Sequence, residues 1–209
     1  AGTPVLFVPG HLGTYQQARS IGSHLATSGV GLDLFALDFL EEMTAIHASY
    51  AWRQAQFLNH ALAAIRNLYR GTGGAASVMV VGHSYGGIVA RAAVTLTSYR
   101  HGDISDIITL GTPHALPAWP LDPSMSSLMA DSNSFWSSGA VADISLVSLS
   151  GGSADGAVHA ELTDASRATP VGHSLTVTTS AMKGVGFGVD HLALVWCGQL
   201  VAGVSMLAA

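Results

Sequence analysis

The sequence predicts an α/β fold, a mostly parallel sheet with helices on both faces, built as a single domain over residues 1–209. Two observations carry this. Short apolar runs alternate with longer stretches of helical periodicity, the signature of repeated strand-helix-strand units. In addition, residues 78–91 read VMVVGHSYGGIVAR, where an apolar strand runs through Gly82-His83-Ser84-Tyr85-Gly86 directly into a helix-compatible segment at 88–94. The chain is long enough for one sizeable core and too short for two.

Taken in order, residues 4–8 (PVLFV) form the first strand, closed by Pro9-Gly10 and followed by a helix-like run from about 14 to 25. Residues 31–38 (GLDLFALD) read as the second strand. A long amphipathic helix spans about 50–70, with Phe57, Leu58, Ala61, Leu62, Ile65, Leu68 and Tyr69 at three-to-four spacing and Arg53, Asn59, Arg66 and Asn67 opposite. Gly71-Thr72-Gly73-Gly74 then reads as a C-cap and turn; a phosphate-binding loop would follow a strand, whereas these glycines precede one. After the central strand and helix comes a strand at 104–110, ending in Gly111-Thr112-Pro113-His114. The segment at about 115–142 carries three prolines, little charge and many large apolar side chains, and is expected to be a lid-like insertion. Residues 143–150 and 174–181 complete the strands around a loop at 151–172, and Asp190-His191 is expected to open the terminal helix.

Composition narrows the function. Hydrophobic residues make up 49% of the chain and charged residues 10%, which argues against disorder. Eight Lys and Arg face thirteen Asp and Glu, without a basic block, so nucleic acid is not the expected partner. Cys197 is the single cysteine, which excludes an intrachain disulfide and a cysteine-based zinc site. His24, His47, His60, His101 and His159 show no ligand spacing with one another or with carboxylates, so no metal and no cofactor are expected. No secretory leader is recognisable in AGTPVLFVPG, and the apolar C-terminal tract fits a buried helix better than a membrane span.

The chemistry sits at the strand ends. In a G-x-S-x-G elbow the serine stands on a tight strand-to-helix turn and the glycines let strand and helix approach. Ser84 is therefore the candidate nucleophile. A serine hydroxyl needs a base to take its proton and a third group to orient that base, in the chain order Ser, acid, His of the α/β-hydrolase fold. His191 fits as the base because it follows the last strand; His173 precedes that strand. Asp155, four residues past Gly151, is the expected acid, with Asp164 and Asp190 as alternatives, the latter read instead as a helix cap. The Tyr85 and His11 amides are candidates for the oxyanion hole. Trp119, Leu121, Met125, Leu128, Phe135 and Trp136 of the lid-like insertion are expected to line an acyl-chain groove. His83 is expected to pack under the elbow, His114 to serve as a structural hydrogen-bond partner, and Asp38 to pin its turn. The fold usually carries antiparallel edge strands before the first core strand, and these are missing here; the expectation is a piece of a longer protein.

Several blocks together resemble one family: PVLFVPGHLGTYQQARSIGSHL, ALDFLEEMTA, VVGHSYGGIVARAA, IITLGTPHALPAWPLDP, VSLSGG followed by Asp155 and Leu162-Thr163, and DHLALVWCGQLV. The chain is similar to the lumenal catalytic domain of GPI inositol-deacylases. That resemblance implies hydrolysis of the ester joining an acyl chain to the inositol of a GPI anchor, through a serine acyl-enzyme, at the lumenal side of the endoplasmic reticulum membrane. It places the family's serine on Ser84, its histidine on His191 and its acid on Asp155, although Ala154 stands where a basic residue is usual. The expected partner is a lipid or acylated glycolipid, with membrane-surface contact through the lid segment. A soluble carboxylesterase or lipase on simpler lipids is the alternative, followed by a non-catalytic lipid-binding domain; transfer to an acceptor other than water also stays open. Oligomeric state is not legible in the sequence.

Overall fold

The computed structural model describes residues 2–29, 31–71 and 77–207, and the side chains of these up to Ser205. The expected turn at Thr72 to Gly74 lies outside them. Six strands form one sheet: β1 (Thr3–Val8), β2 (Leu32–Ala36), β3 (Val78–His83), β4 (Ile104–Leu110), β5 (Ser145–Ser150) and β6 (Ser174–Thr178). Their order is β2-β1-β3-β4-β5-β6, and every pairing is parallel. Five α-helices connect or flank them: α1 (Arg19–Ser28), α2 (Ala48–Leu68), α3 (Tyr85–Ala93), α4 (Pro123–Ser137) and α5 (Gly198–Leu207).

Strand alternation builds two cores. Leu6, Val8, Val78 and Val80 face α2, α3 and α4, whereas Val5, Phe7, Met79 and Val81 face α1 and α5. Both faces of β1 and β3 are thus covered, which is why these strands read as continuous apolar runs. The chain goes from β1 outward to β2 and returns to β3 on the other side of β1. In such sheets the crevice outside the carboxyl ends of the strands flanking this reversal is where ligands bind. The two strand ends here carry Gly10-His11 and Ser84.

The structure departs from the sequence expectations in four places. The segment expected to be a lid folds inward: α4 packs on α3 and α2, with Met125, Leu128, Met129 and Trp136 fully buried in the core. Its helix begins where the Asp122 carboxylate accepts the Ser124 N–H and Pro123 occupies the first turn, so the prolines start a helix rather than prevent one. On α2, Phe57 and Leu68 are exposed while Asn59 is buried, its amide donating to the Ala93 carbonyl and the Ser98 hydroxyl. The last strand stops at Thr178, and a short 3-10 turn follows. The terminal helix opens at Gly198 instead of Asp190, whose carboxylate caps a local turn by accepting the Leu192 N–H.

Candidate active site

At the end of β3 the backbone turns sharply at Ser84, which adopts φ 54 and ψ −129. A non-glycine residue there stores on the order of 1–3 kcal/mol of strain and needs its surroundings to hold it. The Ser84 N–H donates to the Leu110 carbonyl at 2.8 Å, and the Ser84 carbonyl accepts the Gly87 N–H at 3.1 Å and the Thr112 hydroxyl at 2.8 Å. Gly86 is required because a Cβ there would lie 2.2 Å from the Val8 carbonyl oxygen. Helix α3 therefore starts hard against β1, with Ser84 at its N-terminal end.

His191 and Asp155 reach Ser84 from loops beyond β6 and β5. The His191 Nε2 lies 2.9 Å from Ser84 Oγ, and its Nδ1 lies 2.8 Å from Asp155 Oδ2. The other carboxylate oxygen, Oδ1, accepts the Ala157 N–H at 3.0 Å and the Val158 N–H at 2.8 Å, which fixes the acid in place. A carboxylate only accepts, so Nδ1 carries the imidazole proton and Nε2 is left to accept from the serine hydroxyl. The Asp155 side chain is fully buried and that of His191 nearly so. Of the alternatives, Asp164 bonds Ser166 and Arg167 at the surface and Asp190 caps its own turn, so neither meets His191 Nδ1.

The loop after β1 passes directly over the serine: a Cβ on Gly10 would sit 2.6 Å from Ser84 Cβ. Among the described residues neither the His11 nor the Tyr85 amide donates a hydrogen bond, and Tyr85 is the first residue of α3. Two amides flanking one serine hydroxyl can receive a developing oxyanion. Their side chains hold the mouth together. The His11 Nδ1 accepts the Ala45 N–H and its ring meets Trp119 edge-on at 5.8 Å, while the buried Tyr85 hydroxyl accepts the Ala118 N–H. Partial burial pushes the His11 imidazole below its ordinary pKa, which keeps it neutral.

Of the six residues expected to line an acyl groove, Met125, Leu128 and Trp136 belong to the core, and the Trp136 indole N–H donates to the Arg91 carbonyl. Phe135 is half-buried against the same core. Of the six, Trp119, whose ring meets His11, and Leu121 alone are exposed. His114 is buried against Thr109 Oγ1, and Arg91 lies buried on the Trp136 ring with the Asn133 side-chain oxygen as acceptor. Asp38 accepts the Leu40 N–H in its turn, and Cys197 is a core residue. Sequence reading missed Gly111 and Thr112. The first leaves room for the Asp155–His191 pair and the second holds the Ser84 carbonyl; both belong to the turn after β4 that the sequence marks as Gly-Thr-Pro-His.

With this geometry in place, comparison with known proteins identifies the family. The PGAP1-like alpha/beta domain family matches residues 1–209. The chain belongs to it. It is 34% identical over 232 residues to the GPI inositol-deacylase of Phaeosphaeria nodorum and 35% identical over 207 residues to that of Mus musculus, in each case covering 95% of this chain and 22% of the relative. The chain thus spans about a fifth of these relatives' length. Solved α/β-hydrolases share the fold at low identity. Aspergillus fumigatus lipase B superposes with a TM-score of 0.68 at 13% identity, covering 93% of this chain and 49% of that one. An esterase from Rhodococcus does so with 0.65 at 15% identity, covering 99% and 90%. Among the described residues no helix is long and apolar enough to cross a membrane, and no three metal-ligating side chains converge.

Proposed function

We propose that this PGAP1-like domain is a serine carboxylic ester hydrolase whose substrate is a lipid ester, the acyl chain on the inositol of a GPI anchor. The observation that carries the chemistry is the hydrogen-bonded line Ser84 Oγ, His191 Nε2, His191 Nδ1, Asp155 Oδ2, set on a strained strand-to-helix turn. The substrate reading is supported by the relatives, which are named GPI inositol-deacylases.

In the first half-reaction Ser84 Oγ attacks the acyl carbonyl as its proton passes to His191 Nε2, and the buried Asp155 carboxylate stabilises the imidazolium. The Tyr85 and His11 amides receive the charge on the carbonyl oxygen. His191 then gives its proton to the departing inositol oxygen, leaving acyl-Ser84. A water deprotonated by His191 attacks the acyl carbon, the Ser84–acyl bond breaks, and the serine recovers its proton as the fatty acid leaves. Trp119 and Leu121 supply the exposed apolar surface against which the acyl chain lies.

The test is intact-mass labelling with a fluorophosphonate, comparing the chain with its Ser84→Ala and His191→Ala variants. One adduct on the parent and none on either variant is the expected result, followed by fatty acid release from an inositol-acylated GPI. A folded parent that takes up no label would overturn the mechanism.

A further inference from the structure

Helix α3 carries a cation into the interior. Arg91, in its last turn, is 1% exposed, and the groups that meet its guanidinium carry no negative charge. Nη2 donates to Asn133 Oδ1 at 2.8 Å, Nη1 lies 3.4 Å from His114 Nδ1, and Cζ stands 5.3 Å from the Trp136 ring centre. Its Nε has no partner among the described residues. Burial pulls the guanidinium pKa down to about 9, which still leaves it charged at neutral pH, and burial together with this cation keeps His114 neutral. A buried charge without a counter-charge is a cost to the fold that apolar side chains of similar volume would avoid.

What the guanidinium adds is direction. It only donates, so His114 Nδ1 accepts and the imidazole proton sits on Nε2, which donates to Thr109 Oγ1 at 2.9 Å. That hydroxyl donates in turn to the Val147 carbonyl at 3.3 Å. Asn133, held by Arg91 through its side-chain oxygen, turns its NH2 to the His114 backbone carbonyl at 3.2 Å. Arg91 thus grips residue 114 twice, once through the ring and once, by way of Asn133, through the backbone. From α4 the Trp136 indole N–H donates to the Arg91 carbonyl at 3.1 Å.

Residue 114 stands between two contacts of the site. Two residues before it, Thr112 Oγ1 donates to the Ser84 carbonyl at 2.8 Å. One residue after it, the Ala115 N–H donates to the Leu162 carbonyl at 3.1 Å, in the loop after β5 that also carries Asp155. A shift at 114 therefore reaches the serine and the acid together. We propose that Arg91 is a positioning residue for ester hydrolysis: with Asn133 it clamps the turn after β4 between the Ser84 elbow and the Asp155 loop. The inference deepens the ester hydrolase reading and rests on it.

The experiment compares the parent chain with Arg91→Met and Asn133→Asp. The rate of fluorophosphonate labelling is read per folded molecule, with folding followed by circular dichroism, and kcat and KM are measured on water-soluble p-nitrophenyl acetate. Arg91→Met fills the same space but leaves His114 Nδ1 and Asn133 Oδ1 without their donor. Its labelling rate and kcat should fall at least tenfold with KM within about twofold of the parent's, since a 1 Å misplacement near reacting groups can cost about a hundredfold. Asn133→Asp separates position from stability. Its carboxylate gives the buried guanidinium a counter-charge, so it should melt no lower than the parent, yet it cannot donate to the His114 carbonyl, and labelling should slow about fivefold or more. The inference is overturned if either variant labels at the parent's rate per folded molecule, or if the loss falls on KM with kcat kept. A parent that takes up no label would remove the hydrolase reading itself and this inference with it, and the parent arm shows that before any variant is read.

Discussion

His83 Nε2 lies 3.0 Å from the backbone carbonyl oxygen of His191, and the two imidazole rings sit 4.9 Å apart. A carbonyl only accepts, so His83 carries its proton on Nε2, and its buried Nδ1 has no partner among the described residues. The residue preceding Ser84 therefore holds in place the loop that carries His191. His83→Phe keeps the ring volume and removes the donor; kcat on a soluble ester should fall about tenfold with KM less affected, the size of one lost positioning hydrogen bond. His83→Gln restores an N–H of comparable reach and should recover most of the loss. Equal kcat in the parent and His83→Phe would assign His83 a packing role alone.

Burial, reinforced by the neighbouring His191, pushes the His83 imidazole down to about 4, and burial also holds His114 well below the ordinary histidine value. Both are neutral in the folded chain at neutral pH. Once unfolded they titrate near 6.5, so below that pH the unfolded state binds more protons and stability falls with falling pH. For His83 the loss runs from about pH 6.5 to about pH 4 and amounts to on the order of 3 kcal/mol. Urea midpoints measured between pH 7 and pH 4.5 should decline, and His83→Gln should flatten part of that decline.

The strand-to-helix turn at Ser84 was legible because its signal is local: an apolar strand, a G-x-S-x-G turn and a helix fall within fourteen residues. That His191 and Asp155 come from loops past the carboxyl ends of β6 and β5 follows from chain order. The inward packing of α4 had a signal that the prolines obscured. Met125, Leu128, Met129, Ser132 and Trp136 recur at helical spacing, and all five are buried. Asn59 offered no such signal. Its burial depends on acceptors at Ala93 and Ser98, more than thirty residues away, and no helical period reveals them.

Asp155→Asn tests the proposed acid directly. The Asn side-chain oxygen can keep the Ala157 and Val158 N–H bonds, which turns its NH2 toward His191 Nδ1. Nδ1 must then accept, the imidazole proton moves to Nε2, and the ring can no longer take the serine proton. By the logic of serine triads the kcat for a soluble ester should fall about 10⁴-fold. Thermal unfolding should confirm that the variant remains folded.

Met125→Ala separates core from groove. With its side chain fully buried among α2, α3 and α4, truncation should cost about 2–5 kcal/mol in denaturant unfolding. Below the unfolding transition, KM should keep the parent's dependence on acyl length. A selective loss of long-chain esters in the folded variant would return Met125 to the substrate surface.

Gly111→Ala concentrates the argument of the site in one methyl group. Gly111 has φ +59, and a Cβ there would lie 2.7 Å from Leu194 Cδ1, 3.0 Å from Asp155 Oδ2 and 3.1 Å from His191 Nδ1. The added carbon meets both partners of the Asp155–His191 hydrogen bond, and the backbone conformation disfavours any side chain. Two losses follow from one substitution. Stability should drop by about 2–6 kcal/mol, the sum of left-handed strain and overpacking at about 1–3 kcal/mol each. Activity in the population that remains folded should fall by at least tenfold, because the imidazole is displaced from both the acid and the serine. Measuring fluorophosphonate labelling rates per folded molecule, with folding read by circular dichroism, separates the two. Gly152→Ala, at φ +70 with open space around its Cβ, is the control: it should show the strain cost and keep the labelling rate.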